Sequence, residues 1–174
     1  MRIEETVEVE APSARVWKLI EDPAALTDLD DGLSVEADPE TPKSGLHARY
    51  RVLWRIGPVP IGADVEIVEL TPGRELAWTS LTGIEHRFRF RLRELEGGRA
   101  RLVLRFGYNS AGPLGILADL ASYGRVRTTL RRLLAAVKSE AERPPPRQRR
   151  SGGKGGRPAQ RKAKATGSAR RTGA

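Results

Sequence analysis

The sequence predicts an α+β fold in which a curved antiparallel sheet of about six to seven strands wraps round one long C-terminal helix. Two observations carry this prediction. Residues 33–108 alternate apolar and polar side chains with a period of two, which is typical of strands with one wet face. Residues 120–137 carry an apolar stripe with helical spacing. A single helix can cover the concave face of such a sheet only if the sheet wraps round it.

The elements that precede the main run of strands are one strand and two short helices. Residues 2–10 alternate as a half-buried strand, with Glu5 on the otherwise apolar side. Pro12 then begins a helix, because proline is tolerated in a first helical turn. Pro23 ends that helix by restricting the residue before it. We expect Asp22 to cap a second, short helical turn.

The central strands are separated by Gly- and Pro-containing turns, so they should form an antiparallel meander with short links. The clearest strand runs from residue 84 to residue 93, where apolar side chains alternate with arginines. The parity of the strands predicts one shared inward face, made by Leu46 to Ile56, Ile61 to Ile67, Leu76 to Ser80, Ile84 to Leu92 and Ala100 to Tyr108, every second residue in each.

The long helix closes the folded part of the chain. Its predicted stripe faces the sheet and consists of Leu120, Tyr123, Arg127, Leu130, Leu134 and Val137. Arg127 interrupts this stripe, and a guanidinium next to an interior needs an acceptor. Three alternatives stay open for Arg127: it binds a ligand carboxylate or phosphate, pairs with Glu5 or another acid, or reaches past the helix edge to water.

Charge divides the chain into two parts. The chain has a formal net charge of +9, but residues 144–174 hold ten Lys or Arg and no Asp or Glu, which leaves residues 1–143 at −1. The basic part is rich in Pro, Gly and Ala and has little apolar surface to bury. Residues 144–146 are three prolines, which cannot continue a helix. The sequence therefore predicts one domain over residues 1–143 and a disordered basic tail over residues 144–174.

Composition and motifs exclude several function classes. The chain has no cysteine, so it has neither disulfides nor a thiolate metal site. The two histidines, His47 and His86, fall on opposite strand faces, and no Gly-rich phosphate loop or nucleophile elbow is present. The first ten residues lack the apolar core of a signal peptide, and the longest uncharged stretch, residues 106–118, is too short to span a bilayer. We expect a cytoplasmic protein without a metal or a cofactor.

Several segments resemble one known group. Val7-Glu8-Val9-Glu10-Ala11-Pro12, Val16-Trp17-Lys18-Leu19-Ile20 and Asp22-Pro23 are similar to the opening of the START-like (SRPBCC) helix-grip superfamily, in its bacterial polyketide cyclase/dehydrase-like branch. Gly112-Pro113-Leu114-Gly115, ahead of a helix that ends in Val137-Lys138, is similar to its last helix. The resemblance implies a hydrophobic cavity between sheet and helix that holds lipids, polyketides, sterols or hormones. In some members it also implies cyclisation or dehydration, with no catalytic set common to all.

The candidate ligand-binding residues are the large or polar side chains on the predicted inward face. His86 stands out because its ordinary pKa suits acid–base chemistry near neutrality, although a core histidine bonded to a hydroxyl or carbonyl is the alternative. In the enzyme alternative, a nearby Tyr or Glu would act with His86 as the second acid or base. The predicted ligand-binding set is Tyr50, Trp54, Trp78, His86, Phe88, Phe90, Tyr108 and Arg127.

Three function classes follow from these residues. The leading hypothesis is that the domain binds or transports a hydrophobic small molecule. One alternative is a cyclase- or dehydrase-type enzyme that uses His86 as its acid or base. Another is a factor associated with nucleic acid, ribosomes or an anionic surface, in which the basic tail provides the contact.

Overall fold

The computed structural model describes residues 1–56, 59–109 and 113–144, without the side chains of residues 56, 59 and 113–122. The described elements follow the predicted order, and the α+β fold with a wrapped sheet and a C-terminal helix is confirmed. They are β1 (Arg2–Val9), α1 (Ser13–Ile20), the 3-10 helix η1 (Pro23–Asp28), β2 (Leu33–Ala37), β3 (Arg49–Ile56), β4 (Val59–Thr71), β5 (Glu75–Ser80), β6 (His86–Leu95), β7 (Arg99–Tyr108) and α2 (Pro113–Glu142).

The strands form one seven-stranded antiparallel sheet with the order β1-β7-β6-β5-β4-β3-β2. Consecutive strands from β2 to β7 are neighbours, as the short turns predict, and β1 joins the far side of β7. β4 contains a register shift between Ile67 and Glu69, and such bulges increase the bend of a strand. The curvature is strong enough that the ring of Trp54 in β3 contacts that of Phe106 in β7, four places away in the sheet.

The predicted strand parity is confirmed for most of the sheet. Phe88, Phe90 and Leu92 are buried, while the arginines between them lie on the outer face. Two inward assignments are wrong: Leu46 is 48% exposed and Ile84 is 45% exposed. Both residues lie in turns, because β3 begins only at Arg49 and β6 only at His86.

The two short helices lie as predicted. α1 buries Val16, Trp17 and Ile20. The side chain of Asp22 accepts a hydrogen bond from the backbone N–H of Ala24 at 3.0 Å, which confirms Asp22 as the cap of η1. α1 contacts β6, β7 and α2, whereas η1 contacts α1 and β2.

The buried stripe of α2 is rotated from the predicted one. Tyr123 is 37% exposed and the side chain of Arg127 is 44% exposed, so neither lies in the core. Two neighbouring faces of this helix carry apolar residues at helical spacing, and Leu130, Leu134 and Val137 belong to both faces. The spacing in the sequence therefore does not decide which face is buried. The described core residues of α2 are Val126, Leu130, Leu133, Leu134, Val137 and Ala141.

The folded unit spans Met1–Pro144. The predicted tail, residues 144–174, lies outside the described residues from residue 145 onward. No helix within residues 1–56, 59–109 and 113–144 is long and apolar enough to cross a membrane.

Candidate ligand-binding site

The concave face of the sheet carries a continuous layer of aromatic rings. Trp78 in β5 stacks on Phe88 in β6, with ring centroids 4.3 Å apart and planes 2° from parallel. Phe90 meets both rings edge-on, at 5.1 Å from Phe88 and 6.3 Å from Trp78. Trp78 and Phe88 lie directly opposite each other across the β5–β6 pair, and Phe90 follows Phe88 by two residues in β6. Residues with these spacings share one face of a sheet, so the three rings meet.

Phe106 in β7 is the centre of this layer. Its ring contacts those of Trp54 at 6.1 Å, His86 at 5.6 Å, Phe88 at 6.1 Å and Tyr108 at 5.5 Å. The sequence prediction placed Phe106 on the inward face but did not include it among the ligand-binding residues. The contact of four candidate side chains with the ring of Phe106 follows from the three-dimensional fold and not from the sequence pattern.

The layer is fully buried in the middle of the sheet and reaches the surface at one end. Phe88 and Phe90 are buried, whereas His86 and Tyr108 are only half-buried. His86 is the first residue of β6 and Tyr108 the last of β7, and they lie directly opposite each other. α2 begins at Pro113, a few residues after this end of β7, and the side chains of residues 113–122 lie outside the described part of the chain.

Trp54 brings an unsatisfied polar group into this layer. The residue is only 7% exposed, and its indole Nε1 has no hydrogen-bond partner in the described part of the chain. A buried donor without an acceptor costs about 1–3 kcal/mol, so most such groups in proteins are paired. The ring itself lies edge-on to Phe88 and Phe106. An acceptor supplied by a bound molecule would remove this cost.

His86 has a defined tautomer. Its Nδ1 lies 2.8 Å from the carbonyl oxygen of Ile84, and because a carbonyl only accepts, Nδ1 must carry the hydrogen. Burial lowers the pKa of His86 below its ordinary 6.5, and the bond to Ile84 opposes this only in part. The imidazole is therefore neutral near pH 7, and its Nε2 is an acceptor with no hydrogen-bond partner among the described residues.

Tyr50 is buried, and among the described residues its ring makes no contact with the rings of this layer. Its hydroxyl donates a hydrogen bond to the carbonyl oxygen of Lys43 at 3.0 Å. Burial, with the nearby charge of Asp22, raises the pKa of Tyr50 to about 12. The hydroxyl therefore already has a partner within the fold and serves to fix the loop before β3.

Arg127 lies at the edge of α2, and the structure does not bring it into the aromatic layer. Its Nε donates to Glu5, and Arg131 Nε donates to the same carboxylate at 2.8 Å. Burial alone would raise the pKa of Glu5, but the hydrogen bonds and charges of Arg131 and Arg127 outweigh it and hold the pKa below 4.5. Of the three alternatives for Arg127, the structure shows the pair with Glu5.

A second buried carboxylate also binds α2, and no sequence pattern indicates it. Asp30, whose side chain is 2% exposed, accepts bonds from Arg132 Nε at 3.1 Å and Nη2 at 2.9 Å. It also accepts from the backbone N–H of Gly32 at 2.8 Å. Asp30 and Arg132 are 102 residues apart, and nothing in their local sequence patterns indicates the pair.

Three arginines of β6 are paired with acids on the convex face. Arg87 and Arg89 both contact Glu69, and Arg91 contacts Glu75. The outer side of β6 is therefore a solvated strand face with cross-strand carboxylate partners. Within the residues that the structure describes, no group of three or more His, Asp or Glu side chains could hold a metal ion.

A family comparison covers nearly the whole folded unit. The model of the family described as "Polyketide cyclase / dehydrase and lipid transport" matches residues 1–142. Among curated proteins, the uncharacterized protein Rv0088 of Mycobacterium tuberculosis is 25% identical over 114 residues, which is 65% of this chain and 50% of the relative. The chain thus spans about half the length of the curated relative that it matches.

Solved structures show the same fold. The Zhui aromatase/cyclase from Streptomyces sp. R1128 superposes with a TM-score of 0.63 and 24% identity, over 82% of this chain and 94% of that one. A START superfamily protein from Mycobacterium smegmatis superposes with a TM-score of 0.64 and 14% identity, over 81% of this chain and 97% of that one. At these identities the likeness concerns the fold and carries no residue roles.

Proposed function

Because the chain belongs to the polyketide cyclase/dehydrase and lipid transport family, we propose that it binds a hydrophobic small molecule between the concave face of the sheet and α2. The proposed contacts are the aromatic layer around Phe106, which is apolar apart from a few polar atoms. The opening is proposed at the His86 and Tyr108 end, where the layer is half-buried.

The unpartnered indole N–H of Trp54 is the observation that carries this proposal. A packed core could hold Phe at this position without an unsatisfied donor, so the indole adds a cost that packing alone does not require. A ligand oxygen facing Nε1 offsets that cost and fixes the orientation of the ligand among otherwise apolar contacts.

Two ligands that differ by one oxygen test the proposal. 2-Acetonaphthone has a carbonyl acceptor, and 2-ethylnaphthalene has nearly the same shape without it. We expect both to bind the full chain, as measured by tryptophan fluorescence and calorimetry, with the ketone tighter by about two- to tenfold, the range for one hydrogen bond. Trp54→Phe should remove this difference. The control Trp17→Phe, in α1, should retain it.

The outcomes separate clearly. If neither naphthalene binds the wild-type chain, the interior takes no ligand of this size and the proposed function is wrong. If both bind and Trp54→Phe leaves the ratio unchanged, Trp54 Nε1 is not the contact. The proposed alternative of a cyclase or dehydrase would in addition require turnover that is lost in His86→Ala.

A further inference from the structure

His86 places one hydrogen-bond acceptor at the open end of the aromatic layer. With Nδ1 bound to the Ile84 carbonyl, Nε2 keeps a lone pair. The imidazole contacts the same Phe106 ring as Trp54 does, at 5.6 Å and 6.1 Å between centroids. A ligand lying on Phe106 is therefore within reach of a donor on Trp54 and an acceptor on His86.

The cations around this layer are already engaged. The N-terminal ammonium of Met1 donates to the carbonyl oxygen of Tyr108. Arg127 and Arg131 share Glu5 on one flank of α2, and Arg132 binds Asp30 on the other. The arginines of β6 lie on the opposite face of the sheet. Within the described part of the chain, no cationic side chain faces the ring of Phe106.

An anionic ligand would therefore lose its hydration without gaining a cationic side chain as its partner. A buried carboxylate without a partner is strongly disfavoured, whereas a neutral hydroxyl needs only one acceptor. Taking these observations together, we propose that the site selects uncharged ligands that carry a hydroxyl group, which donates to His86 Nε2, and that it rejects the corresponding carboxylates. This rests on the proposed function and adds the chemical class of the ligand.

The experiment compares three naphthalenes of similar size on the full chain near neutral pH. They are 2-naphthol, which is neutral there, 2-naphthoate, which is ionised, and 2-ethylnaphthalene, which has no polar atom. We expect 2-naphthol to bind about three- to tenfold tighter than 2-ethylnaphthalene, and 2-naphthoate to bind at least tenfold weaker than 2-naphthol. Calorimetry gives each dissociation constant directly.

Matched histidine variants identify the contact. His86→Phe keeps an aromatic ring against Phe106 but removes the acceptor, so the advantage of 2-naphthol over 2-ethylnaphthalene should disappear. His47→Phe changes the other histidine, whose side chain is 70% exposed, and should leave all three affinities unchanged. An advantage for 2-naphthol that persists in His86→Phe overturns the role of His86.

The wild-type chain alone keeps the inference falsifiable if His86→Phe does not fold. Equal affinities for 2-naphthol and 2-naphthoate would overturn the selectivity, while binding of 2-ethylnaphthalene would leave the proposed function standing. Failure of all three compounds to bind would overturn both. The two failures are thus distinguishable.

Discussion

Arg131 and Arg132 are neighbours in α2, yet they bind carboxylates from opposite edges of the sheet. Arg131 contacts Glu5 in β1, and Arg132 contacts Asp30 immediately before β2. β1 and β2 are the two edge strands of the sheet. Consecutive side chains of a helix point about 100° apart, so two adjacent arginines can reach both flanks. The curved sheet is thus fastened to its helix on each side by a buried acid.

The first prediction concerns the salt bridge between Arg132 and Asp30. Arg132→Leu leaves a carboxylate that is 2% exposed without its charged partner, so we expect a loss of about 2–4 kcal/mol in the free energy of unfolding. Arg125→Leu is the matched control, because Arg125 is exposed on the same helix and has no described ion pair; it should change stability by less than about 0.5 kcal/mol. Urea denaturation measures both. Equal effects would mean that the pair does not hold α2.

The second prediction is the pH dependence of the stability that Glu5 contributes through its salt bridges with Arg127 and Arg131. Its pKa in the folded protein is below the ordinary 4.5, so the carboxylate contributes stability that is fully present above pH 4.5 and is lost as pH falls through the lower folded value. Glu5→Gln should therefore cost most near neutral pH, and its stability should converge on that of the wild type in acid. Glu36→Gln, at an exposed carboxyl of β2 without a described ion pair, is the control and should change the free energy of unfolding by less than about 0.5 kcal/mol at neutral pH.

Strand parity could be predicted from the sequence because alternation is a local property. The buried positions of β6 and the outward arginines follow directly from the period of two. The two wrong inward assignments, Leu46 and Ile84, lie in turns just before a strand begins. The alternating sequence pattern extends into these turns, but the backbone there is not extended, so the alternation no longer predicts burial. His47, with φ of 65°, and Gly83, with φ of 74°, mark these two turns.

The contacts that build the candidate site could be predicted only in part. That Trp54, Phe88 and Phe106 share a face follows from parity, but the contact of Trp54 with Phe106 depends on how strongly the sheet bends. The tautomer of His86 depends on a turn carbonyl at Ile84. The apolar spacing of α2 fits two neighbouring faces of the helix. The sequence prediction used the face that contains Arg127, whereas the structure buries the adjacent one.

The third prediction uses two glycines with opposite surroundings. A Cβ at Gly124, in the middle of α2, would meet no atom within 4 Å, so Gly124→Ala should stabilise the fold by up to about 1 kcal/mol through helix propensity. A Cβ at Gly83 would lie 2.5 Å from the carbonyl oxygen of Gly62, at a φ of +74°, so Gly83→Ala should destabilise the fold. Thermal denaturation of both variants checks the signs, and a loss of stability in Gly124→Ala would contradict the packing described for α2.

The fourth prediction concerns the protonation of His86. Burial lowers its pKa below 6.5, so the unfolded chain takes up this proton more readily than the folded one. Stability should therefore decrease as pH falls below about 6.5, and this part of the decrease should be absent in His86→Phe. Nitrogen chemical shifts at neutral pH should show the hydrogen on Nδ1. A hydrogen on Nε2 would contradict the acceptor role of that atom.

The last prediction assigns any polyanion binding to residues 144–174. This segment has ten cations and no acid, while residues 1–143 have a net charge of −1, so only the segment attracts phosphates in general. Where the full chain shifts duplex DNA in gels, its affinity should fall by roughly 0.9 log units per log unit of salt for each phosphate contacted. Replacing the ten Lys and Arg with Gln keeps the length of the chain and should abolish the shift. DNA binding that survives this replacement would place the contact on the domain, with the arginines of β6 as the first residues to test.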